Sequence, residues 1–295
     1  MIMHVPVLLN EVLEKLDPQK GEFFIDGTIG AAGHAEEILK RLDKEGKFLG
    51  IDWDKKAIER LQNGKLKDFE NIILTSGNYA DIPRILKKNK LPKADGLLID
   101  LGFSSDQLDN SKKGFSFLKN EVLDMRYAPE RRMAAAEIVN SFGEKELADI
   151  FYKYGEERFS RQIAKKIVEE RRKKRIMTTG DLTEIIKKAV PKNYERGRIH
   201  PATRVFQALR IYVNGELNNL ETVLKNLKKI LKGRGRVGII SFHSLEDRIV
   251  KNYFKDLEKA GEIKILTKKP VMAGQEEIKK NPRSRSAKLR VAFIK

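Results

Sequence analysis

The chain of 295 residues contains no cysteine. Disulfide bonds, zinc sites built from thiolates and iron–sulfur clusters are therefore excluded. A covalent mechanism that begins with attack by a cysteine thiolate is excluded as well. Any chemistry that this protein performs must come from carboxylates, histidines, hydroxyls and backbone groups.

Long apolar runs are also missing, because no stretch reaches the roughly 18 residues that a membrane-spanning helix needs. The opening sequence, MIMHVPVLLNEVLEKL, lacks the basic segment and the small-residue cleavage site of a secretory signal. We therefore expect a cytoplasmic protein that has no membrane partner.

Acidic residues are too few to balance the basic ones. The chain has 42 Asp and Glu residues against 60 Lys and Arg residues, so its formal net charge is +18. An excess of this size favours a polyanionic partner, and nucleic acid is the first candidate. A solvated, lysine-rich surface is the alternative, but it does not by itself explain so large an imbalance.

Strand and helix patterns alternate through the first third of the chain. Continuous apolar runs are typical of parallel strands covered on both faces. Four such runs predict strands at Phe23–Asp26, Lys47–Asp52, Asn71–Ser76 and Gly96–Asp100.

The next strand pattern, Arg236–Ser241, follows only after a long interval in which nearly every pattern is helical. Connections in α/β folds are ordinarily far shorter. We therefore predict an all-helical insertion domain for substrate recognition at residues 106–202, with residues 1–105 and 203–295 forming one α/β domain. The closing segments EIKILT and KLRVAFIK alternate like an antiparallel hairpin. This order is that of class I S-adenosylmethionine-dependent methyltransferases, which have a Rossmann-like sheet with a terminal β-hairpin.

The turn after the first predicted strand carries glycines in the pattern G-x-x-G-x-x-G, at Gly27, Gly30 and Gly33. A dinucleotide loop needs G-x-G-x-x-G so that pyrophosphate can reach the helix N-terminus. Asp26 precedes the turn, where it would repel a phosphate but suit a cation. S-adenosylmethionine carries an ammonium and a sulfonium and has no phosphate, so the turn favours a methyl donor over NAD.

A second acidic position follows the second predicted strand. Asp52 can accept both ribose hydroxyls of a nucleoside there. Helix capping is the alternative for Asp52 and Asp54. We assign the cap to Asp54 and the ribose to Asp52.

Seven segments, in order, resemble those of the bacterial ribosomal RNA small subunit methyltransferase H (RsmH, MraW) family. They are HVPVLLNEVLEKL, DGTIGAAGH, DLGFSSDQLD, GFSF, HPATRVFQALRIYVNGEL, SFHSLEDRIVK and NPRSRSAKLR. The resemblance implies methyl transfer from S-adenosylmethionine to N4 of a cytidine in 16S rRNA at the ribosomal P site. It implies 16S rRNA within the small ribosomal subunit as the partner, and no metal.

The resemblance also implies which residues bind the methyl donor. By position these are Ala32, Gly33, His34, Asp52, Tyr79, Asp100 and Gln107. The family usually has Gly-Gly before the histidine, whereas Ala32 stands first here. Because alanine is costly at positive φ, we expect Ala32 to have an ordinary backbone conformation. For Tyr79, a place in the core is the alternative to contact with adenine.

The exocyclic amine of cytosine is a poor nucleophile, and positioning is a large part of its activation. Amino methyltransferases commonly carry Asp/Asn/Ser-Pro-Pro-aromatic after the fourth strand, and this chain has Asp100-Leu101-Gly102-Phe103. We predict that Asp100 lies beside the methionine end of the donor and the amine, and that Gly102 allows close backbone approach. We also predict that Phe103 stacks on the base. Methylation at C5 of a pyrimidine needs a thiolate, so an amine or a ribose hydroxyl is the better acceptor.

His243 follows the fifth predicted strand, at the edge where ligands gather in open α/β folds. It is a candidate to line the pocket or relay a proton. The equal alternative is that His243 packs beside a capping box formed by Ser244 and Asp247.

Candidate RNA-binding residues are Arg204, Arg283, Arg285 and Lys288. Charge combined with serine hydroxyls at positions 283–286 is typical of phosphate contacts. A linker before the final strand is the alternative, and we favour RNA contact. The basic segment Lys165–Arg175 is also explained by a solvated helix face, since Glu169 and Glu170 interrupt it. Two other functions fit less well, an NAD-dependent dehydrogenase and a non-catalytic RNA-binding factor.

Overall fold

A computed structural model describes residues 6–102, 112–127, 133–191, 194 and 200–295. The chain divides into two compact units. The first comprises Met1–Gly102 and Leu217–Lys295, and the second comprises Phe103–Glu216.

The first unit is built on one mixed sheet. Its strands are β1 (Phe23–Asp26), β2 (Lys47–Asp52), β3 (Ile72–Ser76), β4 (Ala94–Asp100), β5 (Leu231–Ser241), β6 (Ile263–Ile265), β7 (Val271–Met272) and β8 (Lys288–Ile294). The strand order is β3-β2-β1-β4-β5-β8-β6, and β7 also pairs with β8. Strands β1 to β5 are parallel, whereas β8 runs antiparallel to β5 and β6. The predicted Rossmann-like sheet with antiparallel terminal strands is confirmed.

Helices alternate with the first four strands, as the sequence pattern predicted. In chain order the described α-helices are α1 (Leu9–Leu16), α2 (Gly33–Leu42), α3 (Lys55–Gln62), α4 (Ile82–Lys88), α5 (Ala135–Ser141), α6 (Glu144–Gly155), α7 (Ser160–Arg171), α8 (Thr179–Ala189), α9 (Ala202–Asn214), α10 (Glu216–Lys225), α11 (Leu227–Ile230), α12 (Ser244–Lys259) and α13 (Gln275–Lys280). Two 3₁₀ segments lie at Tyr79–Asp81 and Pro282–Ser286. No helix in the described ranges is long and apolar enough to cross a membrane.

Both faces of the sheet are covered, as the apolar runs predicted. Because side chains alternate along a strand, Phe24 and Leu98 belong to one core cluster while Ile25 and Leu97 belong to the other. Burial on both faces fixes the strands, and therefore fixes the side chains at their carboxyl ends.

The second unit is helical and has a core of its own. Helix α9 contributes Val205, Phe206 and Leu209 to that core, together with residues of α5 to α8. The unit consequently extends to Glu216, whereas the sequence pattern placed the boundary at 202. The apolar face of α9 packs on α6, which assigns the helix to the helical unit.

Candidate functional site

Three carboxylates mark one edge of the sheet in the first unit. Asp26, Asp52 and Asp100 are the last residues of β1, β2 and β4. Since β1 lies between β2 and β4 and all three strands are parallel, their carboxyl ends meet at the same edge. This is the edge at which open α/β sheets bind ligands.

The turn after β1 is tied to β4 through Thr28. The backbone N–H of Thr28 donates to Oδ1 of Asp26 over 2.9 Å, and Oγ1 of Thr28 accepts from the N–H of Asp100 over 2.7 Å. A Cβ added to Gly27 would lie 3.0 Å from Cβ of Tyr79, so the turn also needs a glycine. Sequence reasoning did not single out Thr28; a hydroxyl residue two positions after the acidic strand end was the available signal.

Asp26 lies beneath this turn and is only 2% exposed. Burial raises the pKa of Asp26 to about 7; the hydrogen bond from the Thr28 N–H opposes the shift, and the charges of Asp100 and Asp52 add to it. The sequence pattern suggested that the Asp26 carboxyl group would suit a ligand cation. In the structure it is buried under the turn and accepts from the Thr28 N–H.

Asp52 holds the middle of the same turn. Its Oδ2 accepts from the N–H of Gly30, and its Oδ1 accepts from the N–H of Asp54, each over 2.9 Å. Each carboxylate oxygen has a second lone pair, which suits the two hydroxyls of a ribose. Burial raises the pKa of Asp52 above its ordinary value. The predicted helix cap is confirmed, because Asp54 accepts from the N–H of Lys56.

The expected ordinary conformation of Ala32 is wrong. Its φ of 62° and ψ of 25° lie in the left-handed region, and its N–H donates to the carbonyl of Ile29 over 2.7 Å. The tight turn before α2 imposes this conformation, while the methyl group of Ala32 is fully buried in the core. Gly33 allows Pro6 to approach, since an added Cβ would lie 3.0 Å from Cβ of Pro6.

His34, at the start of α2, lies near Asp100. Its Nε2 lies 2.8 Å from the carbonyl oxygen of Val7, and because a carbonyl only accepts, Nε2 carries a proton. In the neutral ring Nδ1 is then an acceptor, and it lies 4.0 Å from Oδ2 of Asp100. Oδ1 of Asp100 accepts from the N–H of Gly102 over 3.1 Å.

The remaining predicted site residues are Tyr79, Phe103 and Gln107, and the structure describes only the first of them. Tyr79 lies beside the first turn and is 6% exposed within the core, as the alternative interpretation stated. Contact of Tyr79 with adenine stays a prediction. Phe103 and Gln107 lie outside the described residues.

His243 itself caps α12, and the proposed box of Ser244 and Asp247 is wrong. Nδ1 of His243 accepts from the N–H of Glu246 over 3.4 Å, while Oε2 of Glu246 accepts from the N–H of His243 over 3.3 Å. The box forms one residue earlier than predicted because Ser244 is already the first helical residue. Asp247 instead accepts from Nε of Arg290 over 2.6 Å.

The Glu246 carboxylate also accepts from the N–H of Phe242 over 2.8 Å. It is 2% exposed, and its Oε1 lies 3.1 Å from Nε2 of His243. Glu246 therefore fixes the segment that directly follows β5. Sequence reasoning passed over this residue, although its place three residues after the cap is typical of a capping box.

The predicted RNA-binding residues have different environments. Arg283 and Arg285 are exposed on the 3₁₀ segment, whereas Ser284 is buried and donates to the Asn281 carbonyl. Lys288 lies 3.5 Å from Oδ2 of Asp247. In the second unit, Nη1 of Arg204 lies 3.5 Å from the Tyr194 hydroxyl. RNA contact by these four basic residues stays a prediction.

Comparison with known proteins gives a clear relationship. The model of the MraW methylase family matches residues 1–295. Ribosomal RNA small subunit methyltransferase H of Clostridium botulinum (strain Loch Maree / Type A3) is 46% identical over 303 residues, covering 98% of this chain and 97% of the relative. The protein of that name from Synechocystis sp. (strain ATCC 27184 / PCC 6803 / Kazusa) is 49% identical over 295 residues, covering 98% and 92%.

Among solved structures, Aeropyrum pernix fibrillarin with bound S-adenosyl-L-methionine is 12% identical, with a TM-score of 0.44. That alignment covers 96% of this chain and 73% of fibrillarin.

Proposed function

The chain belongs to the MraW methylase family, and from that premise we propose that it transfers a methyl group from S-adenosylmethionine to the exocyclic N4 amine of a cytidine in 16S rRNA, near the ribosomal P site. The names of its relatives, small subunit rRNA methyltransferases, support the substrate class. The net charge of +18 supports a polyanionic substrate. The absence of cysteine excludes the covalent route to C5 of a pyrimidine.

The chemistry of the sheet edge fits this methyl donor. The donor has hydroxyls and cationic groups but no phosphate, and the edge offers the carboxylates of Asp52 and Asp100. We assign the ribose hydroxyls to Asp52, the ammonium end to Asp100 with His34, and the ligand carboxylate to backbone amides at the start of α2. Bound there, S-adenosylmethionine supplies an electrophilic methyl group.

The assignment of an amine as methyl acceptor rests on two hydrogen bonds that fix Asp100. The backbone N–H of Asp100 donates to Oγ1 of Thr28, and Oδ1 of Asp100 accepts from the N–H of Gly102. A carboxylate fixed in this way accepts a hydrogen bond from an NH₂ group and orients its nitrogen lone pair, which is what an amine acceptor requires. We assign base stacking to Phe103 and a further donor contact to Gln107.

The test uses donor with a labelled methyl group, isolated small ribosomal subunits and purified 16S rRNA. After transfer, the RNA is digested to nucleosides and the labelled product is identified by mass spectrometry. We expect N4-methylcytidine from the wild-type protein. Label in 5-methylcytidine or in a ribose would refute the acceptor, and no label in either substrate would favour a non-catalytic RNA-binding protein.

A further inference from the structure

Two groups of basic residues on α7 and its flanks differ in whether they have a carboxylate partner. In the first group every cation has a carboxylate partner. Lys166 lies 3.0 Å from Glu170, Lys173 lies 3.1 Å from the same carboxylate, and Lys174 lies 3.3 Å from Asp181. The glutamates that interrupt this basic segment therefore neutralise one side of the helix.

The second group, which we call the basic row, consists of Arg158, Arg161, Lys165 and Arg172. All four side chains are exposed, and none has an ion pair with a carboxylate in the part of the chain that the structure describes. Arg161, Lys165 and Arg172, the C-cap of α7, are four and seven residues apart and therefore lie along one side of the helix. Arg158 lies in the turn directly before α7. With a rise of about 1.5 Å per residue, the helical part of the row is about 16 Å long.

Arg158, at the start of the row, is held by aromatic rings. Its guanidinium carbon lies 4.8 Å from the ring centre of Tyr194 and 5.1 Å from that of Phe159. The two rings meet edge to face, with centroids 4.9 Å apart and an interplanar angle of 88°. Stacking occupies the face of a guanidinium and leaves its N–H edge for a bidentate contact with an oxyanion.

A buried carboxylate holds that aromatic support in place. The Tyr194 hydroxyl lies 2.8 Å and 2.7 Å from the two oxygens of Glu157, which is completely buried. Oε1 of Glu157 also accepts from the N–H of Phe159 over 2.8 Å. A phenol that donates to a carboxylate has a more electron-rich ring, which strengthens its attraction for a cation. The contacts of Glu157 therefore hold the two rings against which Arg158 lies.

We propose that the basic row binds the phosphodiester backbone of the rRNA substrate. This inference rests on the proposed function for the identity of the RNA. A linear series of unpaired cations follows a nucleic acid backbone, and a stacked arginine fork matches the geometry of a phosphate. An acidic protein partner is the competing occupant.

The test compares two triple variants with the same loss of charge. One is Arg161→Gln/Lys165→Gln/Arg172→Gln, in the row; its matched control is Lys166→Gln/Lys173→Gln/Lys174→Gln, in the paired group. Binding to purified 16S rRNA is measured at several salt concentrations. For the row variant we expect at least a tenfold loss of affinity and a salt slope smaller by about 2, since each lost phosphate contact removes about 0.7 to 0.9. The control should change affinity less than about twofold, because its cations are already neutralised.

Equal losses in both variants would show a general effect of net charge and would overturn the proposal. An unchanged salt slope in the row variant would also overturn it, and would favour an acidic protein partner or a solvated face. Thermal unfolding and calorimetric binding of S-adenosylmethionine should be unchanged in both variants, so a difference in rRNA binding cannot come from misfolding. Arg158→Lys provides a second measurement: it keeps the charge but loses the stacked fork, and should weaken 16S rRNA binding about threefold.

The outcome for the proposed function is read separately, from methyl transfer by the wild-type protein. If wild-type protein methylates small subunits and the row variant binds 16S rRNA normally, the row inference alone fails. If wild-type protein transfers no methyl group but the row variant loses RNA affinity and salt slope, the proposed function fails and the RNA surface stands.

Discussion

Gly102 lies directly against the ring of Phe242: a Cβ added to Gly102 would be 2.7 Å from Cε2 of Phe242 and 3.1 Å from Oδ1 of Asp100. The hydrogen bond from the Phe242 N–H to Glu246 fixes the backbone from which this ring projects. The close approach therefore links the segment after β5 to the carboxylate proposed to receive the substrate amine.

The substitution Gly102→Ala should lower kcat by roughly tenfold to a hundredfold, since small misplacements of a reacting group are costly. Binding of S-adenosylmethionine should change much less than kcat. The matched control is Gly233→Ala, because an added Cβ at Gly233 meets nothing within 4 Å. Normal kcat in Gly102→Ala would show that this contact does not position Asp100.

Replacing Asp100 tests the acceptor side directly. Asp100→Ala should abolish methyl transfer, and Asp100→Asn, which keeps an oxygen for the Gly102 N–H, should lower kcat on the order of a hundredfold. The free energy of unfolding of the asparagine variant should stay within about 1 kcal/mol of wild type. Rates are measured at saturating donor. Near-normal turnover in either variant would remove Asp100 from the mechanism.

Substitutions at Asp52 and Asp54 should have different effects on donor binding. Asp52→Asn should weaken S-adenosylmethionine binding by about tenfold or more in calorimetry, because one oxygen that accepts a ribose hydroxyl becomes an NH₂ donor. Asp54→Ala should leave donor binding unchanged but lower the unfolding free energy by about 1 kcal/mol through loss of the α3 cap. The reverse pattern would contradict both assignments.

The left-handed backbone of Ala32 predicts an unusual stability change. Ala32→Gly should relieve about 1–2 kcal/mol of backbone strain and lose about 0.8 kcal/mol from one buried methyl group. The variant should thus be as stable as wild type or up to about 1 kcal/mol more stable in urea unfolding. Ala35→Gly, at an equally buried position inside α2, should cost about 2 kcal/mol. A similar loss in both variants would be inconsistent with the positive φ.

Asp26 predicts a pH dependence of stability. Its pKa in the folded protein is about 7, above the value near 4 of an unfolded chain, so folding retains a proton that the unfolded chain loses. Its stabilising contribution is complete below about pH 4, falls as pH rises to 7 and changes no further above that. The full change is up to about 4 kcal/mol. Urea unfolding of wild type and Asp26→Asn from pH 4 to 8 checks this, and a pH-independent difference between them would contradict it.

The strands were the most predictable part of the fold. β1 and β2 have the bounds that their apolar runs predicted, Phe23–Asp26 and Lys47–Asp52, because a strand buried on both faces has a continuous signal. β5 begins at Leu231 rather than Arg236. Its first residues are largely polar and exposed, so pairing with β4 extends the strand where the composition gives no sign of it.

Details at the helix starts were less predictable than the strands. The left-handed conformation of Ala32 arises from the turn geometry, which residue preferences alone would exclude. His243 is an uncommon helix cap, and the adjacent Ser244 matched the usual pattern better. The sequence likewise could not predict that the basic row lacks ion pairs, since ion pairing depends on which side chains share a face of α7.

The central claim is methylation of a cytidine base amine in small-subunit rRNA, and mass mapping of 16S rRNA from cells with and without this gene tests it most directly. We predict that one cytidine near the P site loses a methyl group from its base in the deletion strain. The wild-type gene should restore that group, and the Asp100→Ala gene should not. An identical methylation map in the two strains, or a lost methyl group located on a ribose or on C5, would contradict the proposed transfer to N4.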